Sequence, residues 1–401
     1  MPVNVLIIGG SFGGLTTAYE LRSHLDVDSA AITLISKDPR FLFVPSLPWV
    51  ATGDRAVNQI SFDLGPALAR RQVHFAQEAV VNIDHETKTV TTDRGARHYD
   101  FLVVATGHRS ANEAVEGLGP FGHSLMSAPE AEELRDAIKR LIQNPGPVVV
   151  GAAPGASCIG PAYEFAFELD HLLRQRRMRH AVPITYVTPE PFLGHMGMGG
   201  AGTIRPLLEA AFEERDIGYQ TSKAITKVTA DALEVDGSTE LASVLSMIIP
   251  PLGGVEAVAN SEELSNPKGF VPVDGHYRHP VAENLYAVGV AVAMAPVAET
   301  PVPVNFPKTG HMTEQMATIA AGDIAARVKG GTGKVRELGA RCVMDMGDRG
   351  VYMAVDPVRP PRDTIPRVSE GRRWLLAKRA FERLYLFSAR HGRRVPTALG
   401  W

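Results

Sequence analysis

The N-terminal residues alternate between apolar and amphipathic runs in an order typical of a nucleotide-binding unit. Residues 3–8 (VNVLII) predict a buried strand, glycines crowd positions 9–14, and apolar residues recur at helical spacing over 15–21. A second apolar run follows at 30–36 (AAITLIS). Such a strand-helix-strand unit crosses over right-handed and places its glycine turn at the carboxyl edge of a parallel sheet. We therefore expect a nucleotide at this turn.

The same pattern returns later in the chain. A second strand-turn-helix unit is predicted at 146–173, and an apolar run at 284–294 leads toward a helix after Thr309. Beyond the KGGTGK linker at 329–334, arginine and proline become frequent. These patterns predict an α/β fold with two Rossmann-like domains of the disulfide-reductase type and a C-terminal amphipathic helical region. The predicted bounds are 1–110 with 265–330 for the discontinuous first domain, 111–264 for the second and 331–401 for the C-terminal region.

Composition and charge limit the partners and the cellular location that we expect for this protein. The chain has 401 residues and a net charge of −3, so we expect no nucleic-acid partner. Its two cysteines cannot form a disulfide framework, and the opening MPVNVLIIGG lacks a basic segment and a cleavage site, so we expect no Sec export. Every apolar run is shorter than the roughly 20 residues of a membrane-spanning helix. Any membrane contact is expected to be peripheral.

The first glycine turn approximates the GxGxxG fingerprint of dinucleotide-binding proteins. Gly9 makes the turn, Gly14 permits close packing of helix on strand, and the helix N-terminus faces a pyrophosphate. Ser11 stands where the second glycine usually lies. The other predicted contacts of this turn are Phe12 and Gly13.

Two further strand ends belong to the same predicted site. The second strand ends in Ser36-Lys37-Asp38, so either Ser36 bonds the ribose or Asp38 reaches back to it. A later strand ends in Ala105-Thr106-Gly107, a small turn that closes the FAD domain in flavoproteins with two dinucleotide domains. Together the two turns favour FAD over NAD.

The second unit carries different chemistry. Its fingerprint positions hold Gly151, Ala153 and Ala156, which indicates a degraded nicotinamide site. Cys158 follows near a helix start, where the helix dipole is expected to lower its pKa, although a cysteine there is also compatible with a buried apolar role. The other cysteine, Cys342, is distant in sequence. That separation neither supports nor excludes a contact.

Several longer stretches resemble the sulfide:quinone oxidoreductases and the related flavocytochrome c sulfide dehydrogenase flavoprotein. They are FLFVPSLPWV, YDFLVVATG, VVVGAAPGASCIGPAYEFA, EPFLGHMGMGGAG, ETPVPVNFPKTGHMTE, CVMDMGDRG and RWLLAKRAFE. The resemblance implies that Cys158 and Cys342 flank the flavin, with Cys158 accepting sulfur and Cys342 reducing the flavin. It also implies that sulfide is the electron donor, that a membrane quinone accepts the electrons and that no metal is needed. The implied FAD contacts also include Pro45 and Ala79.

Other residues have roles implied by this resemblance or by their chemistry. Lys308 and Thr309 are expected at the flavin edge where negative charge develops, and Gly289-Val290 replaces the usual Gly-Asp at the ribityl chain. Glu164 and His195 are candidate proton carriers, with simple packing as the alternative for each.

One position departs from the family pattern. Many members have a third cysteine where this chain has Met126, and the nearby family histidine corresponds to Glu130. Methionine cannot carry a persulfide, so sulfur release must use two cysteines or an external acceptor. The length of the sulfur product stays open.

The basic, aromatic tail at 371–394 predicts an interfacial helix on anionic lipid. Trp374, Phe381 and Tyr385 are its predicted quinone and membrane contacts, and a helix packed on the core is the alternative. The alternative functions are a sulfide dehydrogenase that reduces a cytochrome, an NADH:quinone reductase and a flavin-bearing redox sensor. Assembly into a homo-oligomer is compatible with this sequence.

Overall fold

The computed structural model describes residues 2–362 and 364–394, so residues 395–401 of the predicted C-terminal region lie outside the described residues. In chain order the strands are β1 Val3–Ile8, β2 Ala30–Ser36, β3 Arg40–Leu42, β4 Ser61–Asp63, β5 His74–Gln77, β6 Val80–Asp84, β7 Thr89–Thr92, β8 Gly95–His98, β9 Phe101–Val104, β10 Arg109–Ser110, β11 Val148–Ala152, β12 Ile184–Val187, β13 Ile217–Gln220, β14 Ile225–Val228, β15 Ala232–Val235, β16 Thr239–Ala242, β17 Leu245–Ile249, β18 Leu252–Gly253, β19 Leu285–Ala287, β20 Ala340–Asp345, β21 Gly350–Val355 and β22 Arg367–Gly371. The helices are α1 Phe12–His24, α2 Leu47–Thr52, α3 Leu64–Ala69, α4 Leu118–Phe121, α5 Ala128–Gln143, α6 Gly160–Gln175, α7 Ile204–Glu214, α8 Glu256–Ala259, α9 Gly310–Val328 and α10 Arg372–Arg390.

The first sheet is parallel and has the strand order β19-β9-β1-β2-β5. Its central strand is a continuous apolar run because helices cover both faces of a parallel sheet. Helices α1 and α9 pack against each other beside it. The late strand β19 therefore returns to the sheet that the N-terminal residues began, and the carboxyl ends of all five parallel strands lie at one edge.

A second parallel sheet, with the order β13-β12-β11-β17, forms the other Rossmann-like unit. Helix α6 packs on this sheet, and α7 contacts the edge strand β13. Tyr163 and Phe167 of α6 meet Phe212 of α7 edge-to-face with ring centroids 6.0 and 5.2 Å apart. The predicted α/β class with two Rossmann-like units and a C-terminal helix is confirmed.

Small antiparallel sheets accompany the two Rossmann-like units. Strands β6-β7-β8 form one and β14-β15-β16 another, while β3 pairs with β4 and β10 with β18. The last of these pairs joins the segment after β9 to the segment after β17, and so ties the two Rossmann-like units together.

The C-terminal region is more than a helix, because β20, β21 and β22 form an antiparallel sheet. Helix α10 packs on β20 and β21 and reaches the first unit, where the Tyr19 hydroxyl donates to the Ala389 carbonyl oxygen at 2.7 Å. Within the described ranges, none of the helices combines the length and apolar character needed to cross a bilayer.

Candidate active site

The carboxyl edge of the first sheet forms a narrow backbone cradle. Gly9 has φ +110°, and a side chain there would meet the Ala105 carbonyl oxygen at 2.2 Å. A side chain at Gly14 would lie 1.8 Å from the Gly9 carbonyl oxygen. Both glycines are therefore required for α1 to start this close to β1 and to the turn after β9.

The cradle fits a dinucleotide. The Ser11 side chain is exposed and makes no capping hydrogen bond within the described chain, so the first turn of α1 keeps amide groups for an anion. Phe12 and Gly13, which follow it, are buried. The buried Thr106 Oγ1 has no hydrogen-bond partner among the residues that the structure describes. A buried hydroxyl without a partner is costly, which favours a ligand atom beside it.

The neighbouring strand end places Ser36 beside this cradle. A side chain built on Gly10 would meet Ser36 Oγ at 3.2 Å, so Ser36 lies directly against the glycine turn. Lys37 is exposed, whereas Asp38 accepts a hydrogen bond from the Arg40 amide at 2.9 Å in its own turn. Of the two alternatives for a ribose contact, this geometry favours Ser36.

Two further predicted contacts lie around the same edge. The Glu78 amide donates to the Ser36 carbonyl oxygen at 3.2 Å, and this bond carries the adjacent Ala79 toward the edge. Pro45 lies half-buried in a short 3-10 turn at Val44–Ser46 that leads into α2.

Gly289 and Lys308 meet at the end of β19. Gly289 has φ +70° and sits against Thr313 of α9, where a side chain would come within 2.8 Å. The buried Lys308 ammonium donates to the carbonyl oxygens of Val290 at 3.0 Å and Val292 at 2.6 Å. Burial lowers the pKa of Lys308 to about 8. In this structure Lys308 therefore binds the turn after β19 directly.

Thr309 has a defined structural role. It is the N-cap residue of α9, and its Oγ1 accepts a hydrogen bond from the Met312 amide at 3.3 Å. This cap sets the start of α9. A Cβ atom placed on the next residue, Gly310, would lie 3.5 Å from the Phe12 ring. The N-terminus of α9 thus lies beside the first turn of α1.

The two cysteines come together from distant parts of the chain. Cys158 lies in the turn between β11 and α6, and Cys342 lies in β20, which packs against α6. Both residues are half-buried and unbridged. Burial raises the pKa of Cys158 to about 11 and that of Cys342 to about 12, and the charge of Cys158 adds to the second shift. The two thiols are therefore within electrostatic reach of each other.

The pKa of Cys158 is not lowered by a helix dipole as the sequence predicts. Helix α6 begins at Gly160 with Ile159 as its N-cap residue, so the thiol precedes the helical turns. Burial dominates and raises the pKa. The prediction of a lowered pKa was wrong, because a sequence pattern reveals the helix start but not how the surrounding elements bury it.

Glu164 is held in an ion pair. It lies on α6, is buried, and contacts the Lys378 ammonium of α10. The same ammonium lies 4.9 Å from the centre of the Trp49 ring. Burial lowers the pKa of Lys378 to about 7, with Arg379 acting in the same direction and Glu382 against it. A proton on this pair can therefore be exchanged near neutral pH.

His195 lies in a glycine-rich loop between β12 and α7. Its ring is buried, its Nδ1 accepts a hydrogen bond from the Gly197 amide at 3.3 Å, and burial lowers its pKa. Close by, Glu190 accepts hydrogen bonds from the Tyr163 hydroxyl at 2.7 Å and the Met196 amide at 2.6 Å. These contacts shape the loop, which fits the packing alternative for His195 better than a free proton carrier.

The aromatic residues of α10 are arranged differently from our expectation. Phe381 and Tyr385 are buried, and the Tyr385 ring lies 5.2 Å from that of Phe12 and 5.1 Å from that of Phe43. Phe381 and Tyr385 occupy the side of α10 that packs on the core, so they are not available for direct contact with a membrane, and their predicted contact with quinone stays a prediction. Trp374 is half-buried and stacks on Tyr352 at 4.4 Å.

Met126 and Glu130 have local roles. The Met126 amide donates to a Glu130 carboxylate oxygen at 2.8 Å at the start of α5, where Ser127 is the N-cap residue. Met126 is partly buried against the core. Met126 therefore has a packed side chain, and its correspondence to the third family cysteine stays a prediction.

Sequence reasoning missed buried polar residues on β20, which carries Cys342, and on α6, which follows Cys158. Trp49 donates from Nε1 to Asp345 at 2.8 Å, and burial raises the pKa of Asp345 and of the nearby Glu168. Lys378 was also missed. Its position three residues before Phe381 and seven before Tyr385, on one helical face, was a usable signal for a buried lysine.

The fold and this edge define a class of protein. Residues 3–317 match the pyridine nucleotide-disulphide oxidoreductase family, to which the chain belongs. The match extends from β1 through both Rossmann-like sheets into α9.

Two relatives narrow the class. The chain is 38% identical to the sulfide-quinone reductase of Aquifex aeolicus (strain VF5) over 406 residues, which cover 99% of this chain and 93% of that protein. The solved structure of the sulfide:quinone oxidoreductase from Aquifex aeolicus matches with a TM-score of 0.94 and 37% identity over 98% of this chain and 92% of that one. The chain therefore belongs to the sulfide-quinone reductase family, which confirms the predicted resemblance and an FAD-dependent oxidoreductase.

A more distant relative marks the limit of the likeness. The type II NADH:quinone oxidoreductase of Staphylococcus aureus (strain NCTC 8325 / PS 47) is 29% identical over 140 residues, which are 35% of each chain. This match covers too little of either protein to carry an assignment of activity.

Proposed function

We propose that this protein oxidises sulfide at Cys158 and Cys342 and passes the electrons through bound FAD to a membrane quinone. The observation that supports it best is the meeting of the two thiols, where the charge of Cys158 raises the pKa of Cys342. Membership in the sulfide-quinone reductase family supports the substrates. When bound, FAD supplies a two-electron carrier between sulfur and quinone.

In the oxidised pair a bond joins the two sulfur atoms, and HS⁻ attacks the sulfur of Cys158. The bond between HS⁻ and Cys158 forms as the bond between the cysteines breaks, so Cys158 becomes a persulfide and Cys342 leaves as a thiolate. The two electrons that HS⁻ contributes are on Cys342 and are available to the cofactor. The sulfide sulfur is thereby oxidised to the outer sulfur of the persulfide, and its proton is released when the persulfide ionises.

The chain provides groups for these protons. Because burial raises the pKa of both thiols further above neutral pH, a thiolate formed at this pair tends to take up a proton, which must be lost again before the bridge re-forms. Lys378, whose pKa burial lowers to about 7, can release or take up a proton near neutral pH, and Glu164 on the helix that follows Cys158 is its ion-pair partner. We assign proton transfer to this pair.

The second Rossmann-like unit argues against NADH as the donor. Ala153 occupies the second fingerprint position, where glycine normally lets the backbone approach the pyrophosphate, and it is fully buried.

An anaerobic stopped-flow experiment tests the donor. The holoenzyme is mixed with sulfide or with NADH while the visible absorbance of the oxidised flavin is followed. A short-chain quinone is then added. We expect sulfide to bleach the flavin and quinone to restore it. Bleaching by NADH but not by sulfide would contradict the proposal.

We further propose that the outer face of α10 contacts the membrane. Leu376, Leu384 and Phe387 are 68%, 45% and 56% exposed, and their spacing places them on one face of the helix together with the exposed Arg373 and Arg383. Apolar and basic side chains on one face are suited to a surface of anionic lipid.

Vesicle flotation tests this contact. The triple variant L376S/L384S/F387S should lose flotation with phosphatidylglycerol vesicles, whereas V281S, which removes an apolar side chain that is 75% exposed elsewhere, should keep it. Equal flotation of the two variants would contradict membrane contact through α10.

A further inference from the structure

A cavity of about 390 Å³ lies between the C-terminal sheet and the start of α9. This volume falls within the range of about 300–1,000 Å³ that is usual for small-ligand sites. None of the roles assigned above uses this cavity. Its lining residues include His311 and Gln315 of α9, Arg336, Arg341 of β20, Tyr352 and Ala354 of β21, Asp356, Ile365 and Arg367.

The register of the sheet places two arginines on its floor. Arg341 pairs with Ala354, and Ala354 pairs with Arg367 on the other side, so the three residues share one face. Neighbouring strands lie about 4.8 Å apart, which separates the two arginine backbones by roughly 10 Å. The small Ala354 between them leaves room for a ligand that both guanidinium groups can reach.

The cavity faces away from the reactive cysteine. Cys342 directly follows the cavity residue Arg341, and its cross-strand partner Met353 lies between the cavity residues Tyr352 and Ala354. Side chains alternate between the two faces of a sheet, so Cys342 and Met353 point to the opposite face. A ligand in the cavity would therefore lie across β20 from the Cys342 sulfur, in a site separate from that of sulfide oxidation.

The described lining residues give the cavity a positive charge. Arg336 adds a third guanidinium to the lining, and Asp356 is the acidic residue among the lining residues that the structure describes. Over residues 2–362 and 364–394, neither Arg336 nor Arg367 makes an ion pair with a carboxylate. His311 is 5% exposed, and its Nδ1 has no hydrogen-bond partner in the same part of the chain.

We propose that this cavity binds an oxyanion group, phosphate or sulfate in its chemistry, between Arg341 and Arg367. The guanidinium fork matches the oxygens of such groups and binds them with paired hydrogen bonds. Tyr352 and the exposed Ile365 give an apolar wall and rim for the remainder of a larger ligand. A free oxyanion and the phosphate of a lipid headgroup share this chemistry.

Calorimetric titration of the holoenzyme tests the proposal. Inorganic phosphate and sulfate are titrated in about 0.15 M salt, where exposed charges are screened beyond roughly 8 Å. A second arm uses vesicles of phosphatidylglycerol and of phosphatidylcholine. The variants are R367Q, A354L, which fills the gap between the arginines without changing charge, and R176Q, which removes an exposed arginine at the end of α6 as the matched control.

We expect saturable binding to the wild type, at least tenfold weaker in R367Q and A354L and unchanged in R176Q. Binding of phosphate or sulfate identifies a site for free oxyanions, and R367Q-sensitive binding of phosphatidylglycerol vesicles alone identifies a headgroup site. Both outcomes support the proposal. Absence of saturable binding in both arms would overturn it, and so would equal losses in R367Q and R176Q. Because R367Q is a surface change, it keeps the test valid if A354L does not fold.

Discussion

Replacement of Lys378 by methionine should destabilise the protein strongly. The ion pair of Lys378 with Glu164 joins α10 to α6, and the two side chains are 9% and 10% exposed. Methionine retains the length of the side chain and its contact with Trp49, but it removes the positive charge. K378M therefore leaves the Glu164 carboxylate buried without its partner.

The expected cost follows from this burial. Removal of one partner of a buried ion pair typically costs about 3–5 kcal/mol, because the remaining charge loses both water and counter-charge. The lost cation–π contact contributes little to this difference, since Arg55 and Arg379 also lie 4.9 and 5.4 Å from the centre of the Trp49 ring. The double variant E164Q/K378M removes both charges and should cost only about 1–2 kcal/mol.

Urea unfolding of the holoenzyme, followed by far-ultraviolet circular dichroism and by flavin fluorescence, measures these free energies where the two transitions coincide. The control variant is R383M, which changes an exposed cation on the same helix and should stay within about 0.5 kcal/mol of wild type. The single variant E164Q completes the set. If K378M costs no more than R383M, or if the cost of E164Q/K378M equals the sum of the costs of E164Q and K378M, the ion pair does not stabilise the packing of α10 on α6.

Three further predictions concern the cofactor, the thiols and pH. G14A should abolish FAD retention on purification, read from the flavin absorbance, because its side chain would lie 1.8 Å from a carbonyl oxygen of the turn. C342S should abolish sulfide-driven flavin bleaching in stopped flow and C158S should slow it greatly; a full rate in either variant removes that cysteine from the mechanism. Hydrogen bonding from Arg97 lowers the pKa of Glu78 from 4.5 to about 2. Since the folded-state pKa is depressed, this pair stabilises the fold above pH 4.5, and the contribution is lost as pH falls toward 2. The stability difference between wild type and R97Q, measured by urea unfolding, should shrink over that window, and a constant difference would contradict the assignment.

Local sequence patterns were sufficient to predict the two Rossmann-like units. A parallel strand buried on both faces must be apolar, and a helix that starts directly against it needs glycine where side chains would overlap backbone atoms. The buried residues 5–8 of β1 and the glycines at 9 and 14 satisfy both conditions. The three-stranded sheet β20-β21-β22 was missed because its outer strands β20 and β22 carry arginine and polar residues without a clean alternation.

The amino-acid sequence by itself determined the α/β class, the glycine cradle and the identity of the two candidate thiols, since each depends on residues close together in the chain. Tertiary structure alone decided that Cys158 meets Cys342, that Glu164 pairs with Lys378 and that burial raises rather than lowers the thiol pKa values. It also decided that Tyr385 faces the core while Leu376 faces outward. Contacts, burial and the resulting electrostatics depend on which distant elements pack together, and no local pattern contains that information.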